Sequence, residues 1–558
     1  MTLNPPEVDP FLETERFLGG LRSQNDFPQL MTPTLWNTEF TLRPYQKVGV
    51  AHLVSRKKMV LGDPCGTGKT PQAFYAWLVL NQQTPTKLIV VTTRSAVGQW
   101  ADEIRKFAPR MDHTNVIEAP SQAPGRSVTP EVRAATFEKW RIKSPSSIYV
   151  MNWGQLQNDW PTMEKTVASW GPNTVIVFDE FQKCKSGVSK INLKAHDISS
   201  KISRVWGLTA TVLKDRAHDV FQLMKILDSD FMSIERFEDD YAIMDKQMIR
   251  IPKFGQMITV PIPVCVGYKN LPDFKERMSY LYLGREDDEL GIQRPAIIHE
   301  TRRCRISGNE WKVYVETEAG LHTFNDINDL NYDLPFAAVL QLQLAVDVPE
   351  IFLPGLGKQS NPEKHSTFAE RQKKNPKAAL LKQLLNDELE GESVVVYSPL
   401  ETTITQLMRI MKDKNPVRIT GKESADERNA ARLKFQSGEA KLLMITDAGG
   451  EALNLQIAHH LIMFSRPFDP GRYVQVVGRI RRFTSTSEWV KIWHLSVMGT
   501  LDEYLDALLV SKFGAFEILV GSRSGMLPAS EVTPYDIISS IRKQRKAVTL
   551  KEAGHGVP

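Results

Sequence analysis

Gly62-Asp63-Pro64-Cys65-Gly66-Thr67-Gly68-Lys69-Thr70 is the stretch whose reading decides the fold. A short apolar run, Met59-Val60-Leu61, leads into it, and an apolar-striped segment from Pro71 to Leu80 leads out. Strand, glycine-rich loop and helix in that order wrap backbone N–H groups and a lysine around a phosphate chain. The strict pattern, Gly-x-x-x-x-Gly-Lys-Ser/Thr, asks for glycine at position 63, where this chain has Asp63. Beyond the loop, Ala73, Ala76, Trp77 and Leu80 recur at helical spacing and predict one buried face.

Working outward, Leu88-Ile89-Val90-Val91 reads as a parallel strand covered on both faces, ending in Thr92-Thr93-Arg94-Ser95. Open α/β sheets place ligands at that C-terminal edge. Ile148-Tyr149-Val150-Met151 is a further strand tipped by Asn152, and residues 110–145 read as loops with a short helix. The second strong signal is Val175-Ile176-Val177-Phe178-Asp179-Glu180, a buried strand with two carboxylates at its exit. Nucleotide hydrolysis needs one acid to hold Mg²⁺ and one to orient and deprotonate the attacking water. Helix capping would explain one of these carboxylates but not the pair. Val205-Trp206-Gly207-Leu208 leads into Thr209-Ala210-Thr211, small hydroxyl residues suited to sensing a neighbouring phosphate. Upstream, Pro44 suits the first turn of a helix whose buried face is expected to be Tyr45, Val48 and Leu53. Gln46 at that helix start has an amide able to accept from and donate to an adenine edge.

The middle of the chain is less legible. Ser307-x-x-Glu310 has capping-box spacing, so Gly308 to Glu318 reads as a helix or, with Gly308-Asn309 as a turn, as a hairpin. Leu334 to Leu344 reads as a buried helix. From Asn375 the βα rhythm resumes, with strands at 394–397, 442–445 and 461–464 and helices expected over 402–411 and 427–435. Gln475 to Arg482 reads as a late helix on which Arg479 and Arg482, three residues apart, share a face. Only the first α/β unit carries a phosphate loop. Arginines offered by the second therefore suggest a cleft completed between two lobes, with both arginines as fingers for a γ-phosphate.

Composition sets outer limits. The 558 residues are 42% hydrophobic and 24% charged, ordinary values for a globular chain of roughly three domains. No apolar run approaches the ~20 residues of a membrane span, and the acidic, proline-rich start does not read as a signal peptide. Four scattered cysteines without Cys-x-x-Cys spacing suggest neither a zinc site nor a disulfide framework. An intracellular setting is therefore expected. A net charge of +5 is mildly favourable to a polyanion. Two basic clusters stand out, Lys358 to Lys377 and Arg542-Lys543-Gln544-Arg545-Lys546, each also readable as solvated surface.

Taken together these stretches resemble the superfamily-two helicases and translocases, most closely the Swi/Snf-type DNA translocases. LRPYQKVGV, DPCGTGKT, LIVVTTRSAVGQW, DEFQKCKS and LTATVLKD stand in the family's order, followed by NPKAALLKQLLNDELEGESVVVYSP, ITDAGGEALNL and QVVGRIRR. Asp63 is the variant such relatives also use. The resemblance covers about Leu42 to Leu509. It implies an α/β chain of two RecA-like parallel-sheet lobes around an interlobe ATP cleft, with a mainly helical insertion. The implied boundaries are a lead-in at 1–38, a first lobe at 39–230, a bridging region at 231–374, a second lobe at 375–520 and a basic tail at 521–558.

Carried over residue by residue, it implies adenine recognition by Gln46 and phosphate binding by Gly66, Thr67, Gly68, Lys69 and Thr70. Thr70 and Asp179 would hold Mg²⁺, Glu180 would act as base, and Arg479 and Arg482 would be fingers, with Gln475 nearby. Backbone contacts to nucleic acid would fall near Thr93, Asn152, Ser398, Lys422 and Thr446. The implied cofactors are ATP and Mg²⁺. The implied partner is double-stranded or branched DNA, bound with little sequence specificity by a monomer without a membrane. An RNA helicase and an ATP-gated clamp or strand-annealing factor are the alternatives. Pro64, Cys65, Phe181-Gln182, Thr211-Val212 and Ala452 depart from the family's usual residues and mark a divergent branch. The compact chain suggests a phage or bacterial motor.

Overall fold

The computed structural model describes residues 41–120, 128–210, 217–253, 256–318, 334–352, 375–447, 455–467, 470–482, 485, 487–506 and 527–528. Its contacts divide the chain into two compact units, with the change-over in sequence between Gln293 and Arg294.

The first unit opens with α1 (Pro44–Ser55), β1 (Lys58–Leu61), α2 (Lys69–Gln83), β2 (Lys87–Thr92) and α3 (Val97–Phe107). It continues with β3 (Val116–Glu118), α4 (Pro130–Arg141), β4 (Ile148–Asn152), α5 (Trp153–Ser169), β5 (Thr174–Asp179), α6 (Lys190–Lys201) and β6 (Arg204–Leu208). After these come α7 (Ala217–Leu227), α8 (Ile234–Tyr241), β7 (Ala242–Lys253), β8 (Gln256–Tyr268), α9 (Leu271–Arg277) and β9 (Tyr282–Leu283). Seven parallel strands make one sheet in the order β3-β4-β2-β5-β6-β1-β9. Strands β2, β4 and β5 are buried almost end to end, as continuous apolar runs require when helices cover both faces.

The second unit contains β10 (Ala296–Cys304), α10 (Gly308–Glu318), α11 (Leu334–Asp347), α12 (Pro376–Asp387), β11 (Val394–Tyr397) and α13 (Glu401–Ile410). It goes on with β12 (Val417–Ile419), α14 (Ala425–Gln436), β13 (Leu442–Ile445), β14 (His460–Met463), α15 (Pro470–Ile480) and β15 (Trp489–Val497). Its six strands are also all parallel, in the order β10-β15-β14-β11-β13-β12. Apolar side chains sandwich this sheet: Leu443, Leu461 and Ile480 lie in one cluster, and Leu381, Leu407 and Ile462 in another. A last short strand, β16 (Leu527–Pro528), pairs antiparallel with β8.

The α/β expectation with two parallel sheets is borne out, and several details are sharper. Every residue from Pro71 to Leu80 in α2 is buried, not one face alone, because α1 and α3 pack on it beside the sheet. In α1 the expected buried face is corrected: Tyr45 and Leu53 are buried, while Val48 is 42% exposed. Gly49, Val50 and Ala51 occupy the inward side in its place. The ambiguous stretch after Ser307 is a helix, α10. Residues 231–374, expected as one mainly helical bridge, divide between the units. Strand β9 extends the first sheet and β10 the second. Strands β7 and β8 form a long antiparallel hairpin. Alternation there is broken by Pro252, Pro261 and Pro263, so the usual period-two signal is weak.

All four cysteines are free. Among the described residues, no helix is long and apolar enough to cross a membrane. Lys358, Lys364, Arg371, Lys373, Lys374, Thr211, Val212, Ala452 and the basic run at 542–546 lie outside the described residues.

Candidate nucleotide site and strand-end residues

The loop between β1 and α2 is shaped by two left-handed glycines, Gly66 at φ 80° and Gly68 at φ 76°. Gly68 is required twice over, because a Cβ there would also lie 2.5 Å from Gln46 Nε2. Around this turn the chain is tied to itself. Tyr45 Oη and Gln46 Nε2 each donate to the Thr67 carbonyl at 3.0 Å, and Thr67 Oγ1 donates to Pro64 O at 2.9 Å. Lys69 Nζ reaches back across the loop to Asp63 O at 2.8 Å and Pro64 O at 3.0 Å. Thr70 lies in the first turn of α2. Gln46 is 6% exposed, and its Oε1 accepts from Arg43 N at 2.9 Å. Both halves of its amide are therefore used to set the start of α1 against the loop.

The acidic pair sits at the end of β5, and β6 alone separates β5 from β1 in the sheet. Asp179 Oδ2 accepts from Thr92 Oγ1 at 2.7 Å and from Trp100 Nε1 at 2.9 Å, and its Oδ1 accepts from Glu180 N at 3.0 Å. Trp153 Nε1 donates to its carbonyl at 3.0 Å. Withdrawal from water pushes the Asp179 carboxyl up, opposed by the Trp100 and Thr92 hydrogen bonds and by the positive charge of Lys69. Glu180 occupies the left-handed region at φ 53°, a costly conformation for a residue with a Cβ. Its carboxylate accepts from Gln182 Nε2. Thr92, Trp100 and Trp153 are partners of the acid pair that the sequence does not reveal. Polar residues end β2 and a tryptophan follows in LIVVTTRSAVGQW, but sequence spacing does not show which strand end faces which.

Thr93 follows β2 and Asn152 ends β4, neighbouring strands in register at Thr92 and Asn152. The structure thus brings these two residues to one sheet edge. Thr93 is 6% exposed. Asn152 caps α5, its Oδ1 accepting from Gln155 N at 3.0 Å.

In the second unit Ser398, Thr446 and Lys422 follow β11, β13 and β12, again neighbours at one edge. They differ in access. Lys422 is exposed, whereas Thr446 at 4% and Ser398 at 0% are both buried, and Ser398 pairs through its hydroxyl with Ser465 Oγ at 2.9 Å. Ser465 donates to Asp347, a carboxylate that also accepts from Lys377 Nζ at 2.8 Å. Lys377 pairs with Asp502 at 2.7 Å as well, and all three charged side chains are 0% exposed. The reading of Lys377 as part of a basic surface cluster is corrected accordingly: it is the cation of a buried ion cluster.

Gln475 and Arg479 lie on α15, partly buried. Arg482 does not continue that helix, which ends at Ile480, so the two arginines do not share a helix face. The backbone leaves the helix with Arg482 N donating to Ile480 O at 3.0 Å.

Comparison with known proteins adds to this geometry. The SNF2-related domain matches residues 45–344, and the Helicase conserved C-terminal domain matches 376–484. The CHD3-type chromatin-remodeling factor CHR7 of Arabidopsis thaliana is 24% identical over 91% of this chain and 40% of its own length. The putative ATP-dependent helicase/translocase YwqA of Bacillus subtilis is 23% identical over 85% of this chain and 48% of its own. The uncharacterized ATP-dependent helicase YqhH of the same bacterium is 22% identical over 92% of this chain and 85% of its own. The chain thus spans less than half the length of the first two.

Proposed function

The chain belongs to the SNF2-related family, and on that premise we propose that it is a nucleic-acid-dependent ATPase that moves along double-stranded DNA. The observation that supports this best is the acidic pair at the end of β5. Asp179 is pinned there by Thr92 and Trp100, in the same sheet as the strand that feeds the phosphate loop.

In this reading the N–H groups of Gly66 to Thr70 and the Lys69 ammonium bind the phosphates, and Gln46 reads the adenine edge by exchanging its bonds to Arg43 N and the Thr67 carbonyl for bonds to the base. Glu180 takes a proton from the attacking water. Mg²⁺ fits Thr70 and Asp179, because that ion keeps waters and substrate phosphates and needs only one or two protein oxygens. Bound there, Mg²⁺ supplies neutralising charge at the phosphates. Arg479 and Arg482 supply cationic stabilisation of the γ-phosphate, Arg482 from the segment that follows α15, with Gln475 beside them.

Asn152 in one unit and Lys422 in the other contact the phosphate backbone, so binding has little sequence specificity and steep salt dependence. Thr93, Thr446 and Ser398, being buried, contribute through their strand-end positions rather than by direct side-chain contact. The motor works as an intracellular monomer in DNA replication, recombination or repair.

Triplex displacement beside forked-duplex unwinding, each with ATP and Mg²⁺, tests the reading. ATP-dependent displacement of the third strand is expected. Absence of displacement on duplex DNA at low salt would overturn it.

A further inference from the structure

Asp63 is the loop residue that breaks the strict phosphate-binding pattern, and its side chain is 0% exposed. A carboxylate so deeply buried requires a fixed partner. Arg285 supplies it from 222 residues downstream: Nε donates to Asp63 Oδ1 at 3.0 Å and Nη2 to Oδ2 at 2.6 Å. Two further donors are committed. Nη1 donates to the Tyr45 carbonyl at 2.8 Å and Nη2 to Gln72 Oε1 at 3.4 Å. One guanidinium therefore bonds the first turn of α1, the entrance of the loop and the first turn of α2.

The position of Arg285 is itself set by the strand that feeds the loop. Val60 N donates to Leu281 O and Gly62 N to Leu283 O, both at 2.7 Å, adding β9 to β1 in parallel. At Gly62 a Cβ would lie 2.3 Å from Tyr282 Oη, so the loop entrance and this segment are in direct contact. The other end of the linkage is Lys69, which donates to the carbonyl of the same Asp63.

We propose that Arg285 is a positioning residue for the nucleotide site, holding the phosphate loop in its binding conformation through Asp63 and setting α1 against it through the Tyr45 carbonyl. The proposal rests on the reading of Gly62 to Thr70 as the ATP-binding loop. A planar, bidentate donor is needed for both tasks, which a lysine does not match. Asp179 ends β5 and Glu180 follows it, outside this linkage, so the effect falls on nucleotide binding more than on the chemical step.

The test compares wild type, Arg285→Gln, Asp63→Asn, their double variant, Arg285→Lys and Lys69→Ala. The readouts are the Kd of a fluorescent ATP analogue with Mg²⁺, the KM and kcat of ATP hydrolysis, and the melting temperature. The expected result is a rise of about tenfold or more in Kd and KM for each of the Gln and Asn variants, with kcat within about threefold. The double variant is expected to be no worse than the poorer single one, and Arg285→Lys to be intermediate. If Arg285→Gln does not fold, the double variant carries the test, because it leaves no buried charge unpaired. Wild-type affinity in the double variant, or penalties that multiply in it, would overturn the role of Arg285. If Lys69→Ala also bound the analogue as tightly as wild type, the phosphate-loop reading itself would fall. Loss of binding in Lys69→Ala with an unaffected double variant would remove Arg285 alone.

Discussion

The two parallel sheets treat the polar residues at their strand ends in opposite ways. In the first, Thr92 and Asp179 meet at a partly buried edge beside a glycine-shaped loop, and their hydrogen bonds orient one carboxylate. In the second, Ser398 and Ser465 turn into the interior and end on Asp347, in the buried cluster with Lys377 and Asp502. The same architecture thus orients a carboxylate at one edge and fastens helices at the other. Strand-end polarity alone does not tell a site from a structural tie. Burial and the identity of the partner do.

Four substitutions break or sharpen this contrast. Glu180→Gln removes the proposed base while keeping shape, and kcat is expected to fall by about 10² to 10⁴ with ATP affinity retained; single-turnover hydrolysis beside equilibrium binding checks it. On the other side, Lys377→Met leaves Asp347 and Asp502 unpaired in the interior. A loss of about 3–5 kcal/mol is expected in denaturant unfolding of the second unit. ATP-analogue affinity should stay near wild type.

A pH series separates the two edges further. Burial lifts the Glu350 carboxyl from 4.5 to about 7, so the folded chain keeps that proton over a range where the unfolded chain has lost it. Its contribution is therefore full below about pH 4.5 and is lost as pH rises through 7. Glu350→Gln removes that loss. The variant should melt a few degrees above wild type at pH 8, with the gap closing toward pH 5. Smallest is Trp100→Phe, which deletes one donor to Asp179 and keeps the ring; a fall of about five- to tenfold in kcat/KM is expected from steady-state kinetics. An unchanged value would assign Trp100 to packing alone.

The sequence disclosed much of the first unit because its signals are local. A loop with positive-φ glycines and an apolar run ending in two acids are each legible within ten residues. The strand ends at Thr93, Asn152 and Thr446 are also legible from short-range pattern, whereas Lys422 follows from the family resemblance. What was not legible depends on contacts distant in sequence. Arg285 sits in Leu283-Gly284-Arg285-Glu286, a stretch with no period and no motif, and its role exists only because β9 joins β1. Lys377 looked like one more surface lysine until Asp347 and Asp502 came to it from other helices and loops. The end of α15 at Ile480, which separates Arg479 from Arg482, follows from backbone geometry that an i, i+3 count assumes instead of testing. The β7–β8 hairpin was hidden by its prolines.

The most direct test of the central proposal is steady-state ATP hydrolysis by the full chain with and without saturating duplex DNA. A rise in turnover of at least about tenfold is expected at low salt, fading as salt releases the backbone contacts. A rate that is the same with and without DNA would contradict it.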